Sequence, residues 1–97
     1  MATAMVMRFP GITPEIYEEA REKVGWEREP ADGGLMHIAW FEGDALHVVD
    51  VWESAEHFER FTTDRLGPGL AAMGVTEQPE VAFHEVHRLF QPAPLPV

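Results

Sequence analysis

At 97 residues the chain is long enough for one domain, which at that size buries only about 60 to 65% of its unfolded surface and so gains from a partner subunit. Seven Lys plus Arg against 17 Asp plus Glu give a formal net charge of −10, which repels phosphate backbones and anionic headgroups and so argues against nucleic acid and membrane partners. With no Cys there are no disulfides or thiolate metal sites, and no stretch approaches the ~18 apolar residues of a membrane span, so a cytoplasmic protein is expected.

In chain order, "ATAMVMRF" (2 to 9) is apolar enough for a buried strand and ends at the turn signal Pro10-Gly11. "TPEIYEEAREKVG" then predicts a helix capped by Thr13, with Pro14 at its first position, Glu15 at its positive end and Gly25 as terminator. Ile16, Tyr17, Ala20 and Val24 form its apolar stripe. The stretch 26 to 34 reads as a loop carrying Trp26, a ring that needs cover. Two strands follow, joined at Gly43-Asp44. Ser54 caps a second helix with Phe58, Phe61 and Leu66 inward; Gly67-Pro68-Gly69 is expected to break it, and "LAAMG" to add about one further turn. "PEVAFHEVHRLF" (79 to 90) reads as the last strand, and residues 91–97 as a Pro-rich tail, an extended arm outside a domain of residues 1–90.

The order strand, helix, strand, strand, helix, strand predicts an α+β, ferredoxin-like βαββαβ fold: a four-stranded antiparallel sheet with both helices on one face. A two-residue hairpin turn would set Phe41 opposite Leu46, Ala39 opposite Val48, His37 opposite Asp50 and Leu35 opposite Trp52. The other face would carry Met36, Ile38, Trp40, His47, Val49 and Val51. Both faces are then apolar, although an antiparallel sheet usually keeps one side wet. Two helices cover one face; a second copy of the chain, packed sheet to sheet, is the economical cover for the other.

The segment "VVDVWESAEHFERF" (48 to 61) resembles the dimeric α+β barrel superfamily, and within it the antibiotic biosynthesis monooxygenase-like branch, including small actinobacterial-type proteins of uncertain role. The similarity by element order runs from about residue 3 to residue 90 and bears on fold. It implies an α+β barrel made by two subunits, with ligands held between sheet and helices of each. Proteins of that fold include cofactor-free monooxygenases acting on polycyclic aromatics, polyketide cyclases, isomerases and haem-degrading oxygenases. For the haem-degrading group the resemblance offers Trp52 as a pocket Trp. The axial His expected on the second helix is absent from "GPGLAAMG", and His57 lies too early to replace it.

Directly opposed side chains on antiparallel strands have Cβ atoms about 4.5 to 5.5 Å apart, so His37 can donate to Asp50, leaving its other ring nitrogen free as a base. Leu35, Ala39, Phe41 and Trp52 share that face, the small Ala39 leaving room for a flat ligand, and Trp26 is a further candidate wall. The pair admits a second reading, a buried polar contact that fixes strand register. Trp40 and His47 belong to the face assigned to the second copy. His84 and His87, three residues apart, point to opposite faces, so one of them enters the pocket while the other meets the interface or solvent. No compact His spacing indicates a metal, and neither a nucleophile elbow nor a phosphate cradle is present. Two functions remain in view. One is a cofactor-free monooxygenase- or cyclase-like enzyme, with His37 and Asp50 catalytic, acting on an aromatic or polyketide-like molecule. The other is a non-catalytic homodimeric module binding a small hydrophobic ligand or a protein partner.

Overall fold

A computed structural model describes residues 1–93; the last four residues of the Pro-rich tail, 94–97, lie outside the described residues. The elements are β1 (Thr3–Pro10), α1 (Pro14–Val24), β2 (Gly34–Glu42), β3 (Ala45–Trp52), α2 (Ala55–Phe61), a π-helical turn (Thr62–Leu66), α3 (Gly67–Ala72) and β4 (Glu80–Glu85). The strands form one antiparallel sheet in the order β2-β3-β1-β4, the ferredoxin-like arrangement. β4 is shorter than the expected 79 to 90. Its pairing ends at Glu85 opposite Thr3, and only the bond from the Val86 N–H to the Ala2 carbonyl (2.9 Å) carries the contact beyond.

Period-2 alternation sorts each strand between two environments. On β1, Met5, Met7 and Phe9 are buried under the helices while Val6 and Arg8 point to the open face. On β3, Leu46, Val48, Asp50 and Trp52 share the helix side, and His47, Val49 and Val51 the other. The core cluster of Met5, Met7, Phe9, Ile12, Leu46, Val48, Trp52 and Phe58 sits between sheet and helices.

The β2–β3 turn consists of Gly43 and Asp44, with Glu42 paired to Ala45. Gly43 has φ +65° and Asp44 does not share the positive sign, the II′ arrangement, in which the first central position is left to glycine. The register that follows sets His37 opposite Asp50, Ala39 opposite Val48 and Phe41 opposite Leu46. It departs from the two-residue rule at one place: Gly34, not Leu35, lies opposite Trp52. A bulge between Gly34 and Met36 leaves Leu35 as the extra residue, because two residues on β2 there oppose one on β3.

α1 starts where Thr13 Oγ1 accepts the Ile16 N–H (3.2 Å) and ends at Gly25, whose φ of +72° lets its N–H reach the Arg21 carbonyl (3.0 Å). The second helix does not break at Gly67-Pro68-Gly69. It passes through a π turn directly before Pro68 and continues as α3. Proline cannot donate and its ring crowds the carbonyl four residues back, and the wider turn, with the Gly67 N–H bonded to the Thr62 carbonyl, accommodates it. A Cβ on Gly67 would lie 2.8 Å from that carbonyl oxygen, so the side chain has to be absent.

Candidate functional site

The site begins with a buried carboxylate. Asp50 is 6% exposed and the only buried charged residue of the described chain. Burying a carboxylate is costly unless its oxygens are hydrogen-bonded, and here both are. Oδ1 lies 2.6 Å from His37 Nδ1, and Oδ2 accepts from the Trp52 indole N–H at 3.1 Å. β3 provides Asp50 and Trp52 two residues apart on one face, and the β2–β3 register brings His37 directly across. Trp52 is held in turn by the rings of Phe58 and Phe61, each with its centroid 5.6 Å away.

The second nitrogen of His37 is not free, contrary to the expectation from the strand pairing. Nε2 lies 2.8 Å from the hydroxyl of Tyr17 on α1. A carboxylate oxygen accepts, so His37 Nδ1 donates to Asp50, and Nε2 then accepts from the Tyr17 O–H. The Tyr17 and His37 rings lie nearly parallel, 3° apart, with centroids 6.1 Å apart, and Trp26 stands against both, with centroids at 5.7 and 5.8 Å. The result is a chain Trp52–Asp50–His37–Tyr17 that runs from the sheet floor to the helix. Burial pushes the Tyr17 phenol above its ordinary range, with Glu27 and Glu18 next in effect and Asp50 adding to them, while Arg21 opposes. Tyr17 therefore keeps its proton and acts as a donor.

This chain borders a cavity of about 340 Å³ between sheet and helices. Met5, Ile16, Val48, Phe61, Leu66 and Leu70 are among its apolar walls, with Tyr17, Glu27, His37 and Asp50 as its titratable groups. A space of that size, mostly apolar with a few convergent polar groups, has the character of a small-molecule site. The continued helix contributes directly, since Leu66 and Leu70 flank the Gly67-Pro68-Gly69 segment.

Of the residues singled out in the sequence, His37, Asp50, Trp52, Trp26 and Leu35 line the cavity. Ala39 and Phe41 do not: Ala39 packs against the core, and Phe41 edges the Tyr17 ring with centroids 6.1 Å apart. Neither His84 nor His87 enters it. His84 pairs with Ala4, which puts it on the open face, and His87 lies beyond the end of β4. Tyr17 is the functional candidate that periodicity hid, because an i, i+3, i+4 stripe cannot separate a core tyrosine from one facing a histidine across the cavity. Trp52, assigned only as a wall, also orients Asp50. Among the described residues, no three His, Asp or Glu side chains converge as metal ligands would, and no helix is long and apolar enough to cross a membrane.

On the other side the sheet is bare. Ile38 is 49% exposed and Val6 and Trp40 are each 42% exposed, with Trp40 stacked on His47 at 5.4 Å between centroids.

Sheet order and the helix-side cavity define a ferredoxin-like α+β protein with the fold of the antibiotic biosynthesis monooxygenase-like structures. The chain is similar to SnoaB, a cofactor-independent oxygenase from Streptomyces nogalater, at 20% identity and a TM-score of 0.64, covering 95% of this chain and 98% of that one. A protein of unknown function from Nitrosomonas europaea, NE2512, matches at 15% identity and a TM-score of 0.71 over 95% of both chains. A proposed antibiotic biosynthesis monooxygenase from Caulobacter crescentus matches at 19% identity and a TM-score of 0.64, covering 90% of this chain and 91% of that one. No family model matches the sequence, and no curated protein does. At these identities the likeness concerns the fold.

Proposed function

We propose that the protein is a small cofactor-free enzyme, monooxygenase- or cyclase-like, that removes a proton from an aromatic or polyketide-like molecule held between sheet and helices. The observation that carries this reading is the Trp52–Asp50–His37–Tyr17 chain bordering an apolar cavity. A polar pair needed only to fix strand register would be complete with His37 and Asp50. The continuation to Tyr17 adds a donor on a different element, pointed at the nitrogen that would act as base. The fold shared with a cofactor-independent oxygenase lends support.

In this reading the substrate's acidic O–H or C–H takes the place of the Tyr17 hydroxyl at His37 Nε2. His37 accepts the proton, and the imidazolium formed is stabilised by Asp50, which Trp52 holds in place. Tyr17 then donates to the oxygen on which negative charge develops. In the oxygenase version the carbanion adds dioxygen to give a peroxide. From a CH₂ carbon, loss of water, which takes the second hydrogen, leaves a carbonyl. In the cyclase version the carbanion attacks a carbonyl of the same substrate.

The same reading includes a homodimer. A second copy laid across Val6, Ile38, Trp40 and Val49 removes the exposed apolar face from water in a self-complementary contact.

The test is turnover of a panel of hydroxylated polycyclic aromatics and linear polyketide mimics, with oxygen uptake and product formation measured together. Uptake matched to a carbonyl product identifies the oxygenase version; ring closure without uptake identifies the cyclase version. Saturable binding with no consumption of any panel member would instead establish a non-catalytic binding module.

A further inference from the structure

The cavity carries two carboxylates and no permanently charged cation in its lining. Its titratable lining consists of Tyr17, Glu27, His37 and Asp50, and no Lys or Arg is among the lining residues. The Asp50 carboxylate is met by two N–H donors, His37 Nδ1 and the Trp52 indole, and among the described residues no Lys or Arg pairs with it. The nearby cations are engaged elsewhere, Arg65 behind the Phe61 ring (5.2 Å to its centroid) with its guanidinium on the Val24 carbonyl (3.1 Å). Arg21 is held by Glu18 (2.9 Å), Glu27 (3.0 Å) and Glu22 (3.5 Å), and Arg28 reaches Glu22 (3.2 Å) and the Glu22 carbonyl (2.7 Å). On that side of α1, three carboxylates thus surround two guanidiniums, and Glu27 is the one that also borders the cavity.

An apolar wall amplifies the effect of the buried Asp50, since charges are screened less in a low-dielectric cavity than in water, while Glu27, with its side chain 61% exposed, adds to it more weakly from the wet side. A ligand arriving as an anion loses hydration, meets Asp50 and Glu27, and finds no Lys or Arg among the lining residues. A ligand arriving neutral and giving up a proton inside meets no such obstacle, because the proton it leaves on His37 becomes the counter-charge for its own anion. Burial is the largest cause of the resistance of Tyr17 to ionisation, and Glu27 and, last, Asp50 act in the same direction.

We infer that the cavity admits neutral proton donors and turns away carboxylates and phosphates, and that Glu27 is a specificity-determining residue for this choice. The inference rests on the proposed reading of the cavity as an aromatic site and adds the charge state of what enters.

The experiment is calorimetric titration of the intact protein at neutral pH with naphthol and naphthoate, two probes of matched ring, one neutral and one anionic. Naphthol is expected to bind roughly tenfold or more tightly than naphthoate, about 1.4 kcal/mol. Glu27→Gln should narrow that gap by roughly threefold or more through naphthoate. Repetition at high salt separates the cavity from the overall charge of the chain, since the contribution of distant surface charges is screened. A gap that survives salt and narrows in Glu27→Gln supports the inference. Equal affinities, a gap that vanishes with salt, or a gap untouched by Glu27→Gln would overturn it while leaving the aromatic site intact. Binding of neither probe removes the aromatic site itself and the inference with it.

Discussion

The two faces of this sheet are built from the same strands, one residue out of phase, yet they obey opposite rules. Under the helices, where an apolar core is the default, the chain places Asp50 and His37 and connects them to Trp52 and Tyr17. On the open side, where polar residues are the default, it places Val6, Ile38 and Trp40. A polar group costs most where water is excluded, so the helix side keeps its carboxylate only because both oxygens are bonded. An apolar group is least at ease where nothing covers it, so the open side carries the mark of an association surface. In the proposed reading, departures from binary patterning on opposite faces serve different ends: chemistry on one, assembly on the other.

The comparison is most severely tested at His37. Replacing His37 with Ala is expected to lower turnover of any panel substrate by ~10² to 10⁴, as loss of a general base does, while leaving the subunit mass in sedimentation unchanged. Normal turnover in that variant ends the assignment of chemistry to the helix side. The matching test on the open side is Ile38→Asp, which puts a carboxylate into the proposed contact and is expected to weaken self-association by ~10²-fold or more, read by analytical ultracentrifugation. A wild-type protein that sediments as a lone subunit at micromolar concentration would remove the assembly role.

Smaller effects sharpen the contrast. Gly67→Ala forces a Cβ against the Thr62 carbonyl and is expected to cost about 1 to 3 kcal/mol in chemical denaturation, loosening the helix cover without touching the open face. Tyr17→Phe keeps the ring and removes the hydroxyl that, in the proposed reading, donates to the developing oxyanion, with an expected loss of roughly tenfold in turnover, about one hydrogen bond's worth. An unchanged rate would leave Tyr17 as a wall. The smallest signal is the titration of Tyr17, the chain's one tyrosine, followed by ultraviolet absorbance. Its midpoint is expected above the ordinary tyrosine value and lower in Glu27→Gln. Since the folded state holds this proton more tightly than the unfolded chain, the associated stability is complete below the ordinary tyrosine range. It is lost as pH rises from there through the folded value.

Much of this arrangement was legible in the chain. The two-residue turn at Gly43-Asp44 sets the β2–β3 register by local geometry, and with it the meeting of His37 and Asp50. The caps at Thr13 and Ser54 are equally local, each a side chain accepting an N–H three residues on. Leu35 lines the cavity as expected, but its pairing opposite Trp52 gives way to Gly34, because a bulge costs one residue of register and no local signal marks it. Gly67-Pro68-Gly69 carries the local signal of a break, whereas the π turn lets the helix continue and keeps Leu66 and Leu70 over the cavity, an outcome decided by tertiary packing.

What the sequence determined by itself is the set of quantities fixed by near neighbours: element order, turn type, caps, and which residues share a strand face, since these follow from periods of 2 and 3.6 and from local backbone sterics. What only the tertiary structure decided is where separate elements meet. The Tyr17 hydroxyl comes within 2.8 Å of His37 because α1 packs over β2, and His84 faces away from the cavity because β4 pairs with β1 in one register out of several possible. Such contacts depend on packing between segments far apart in the chain, which no local pattern encodes.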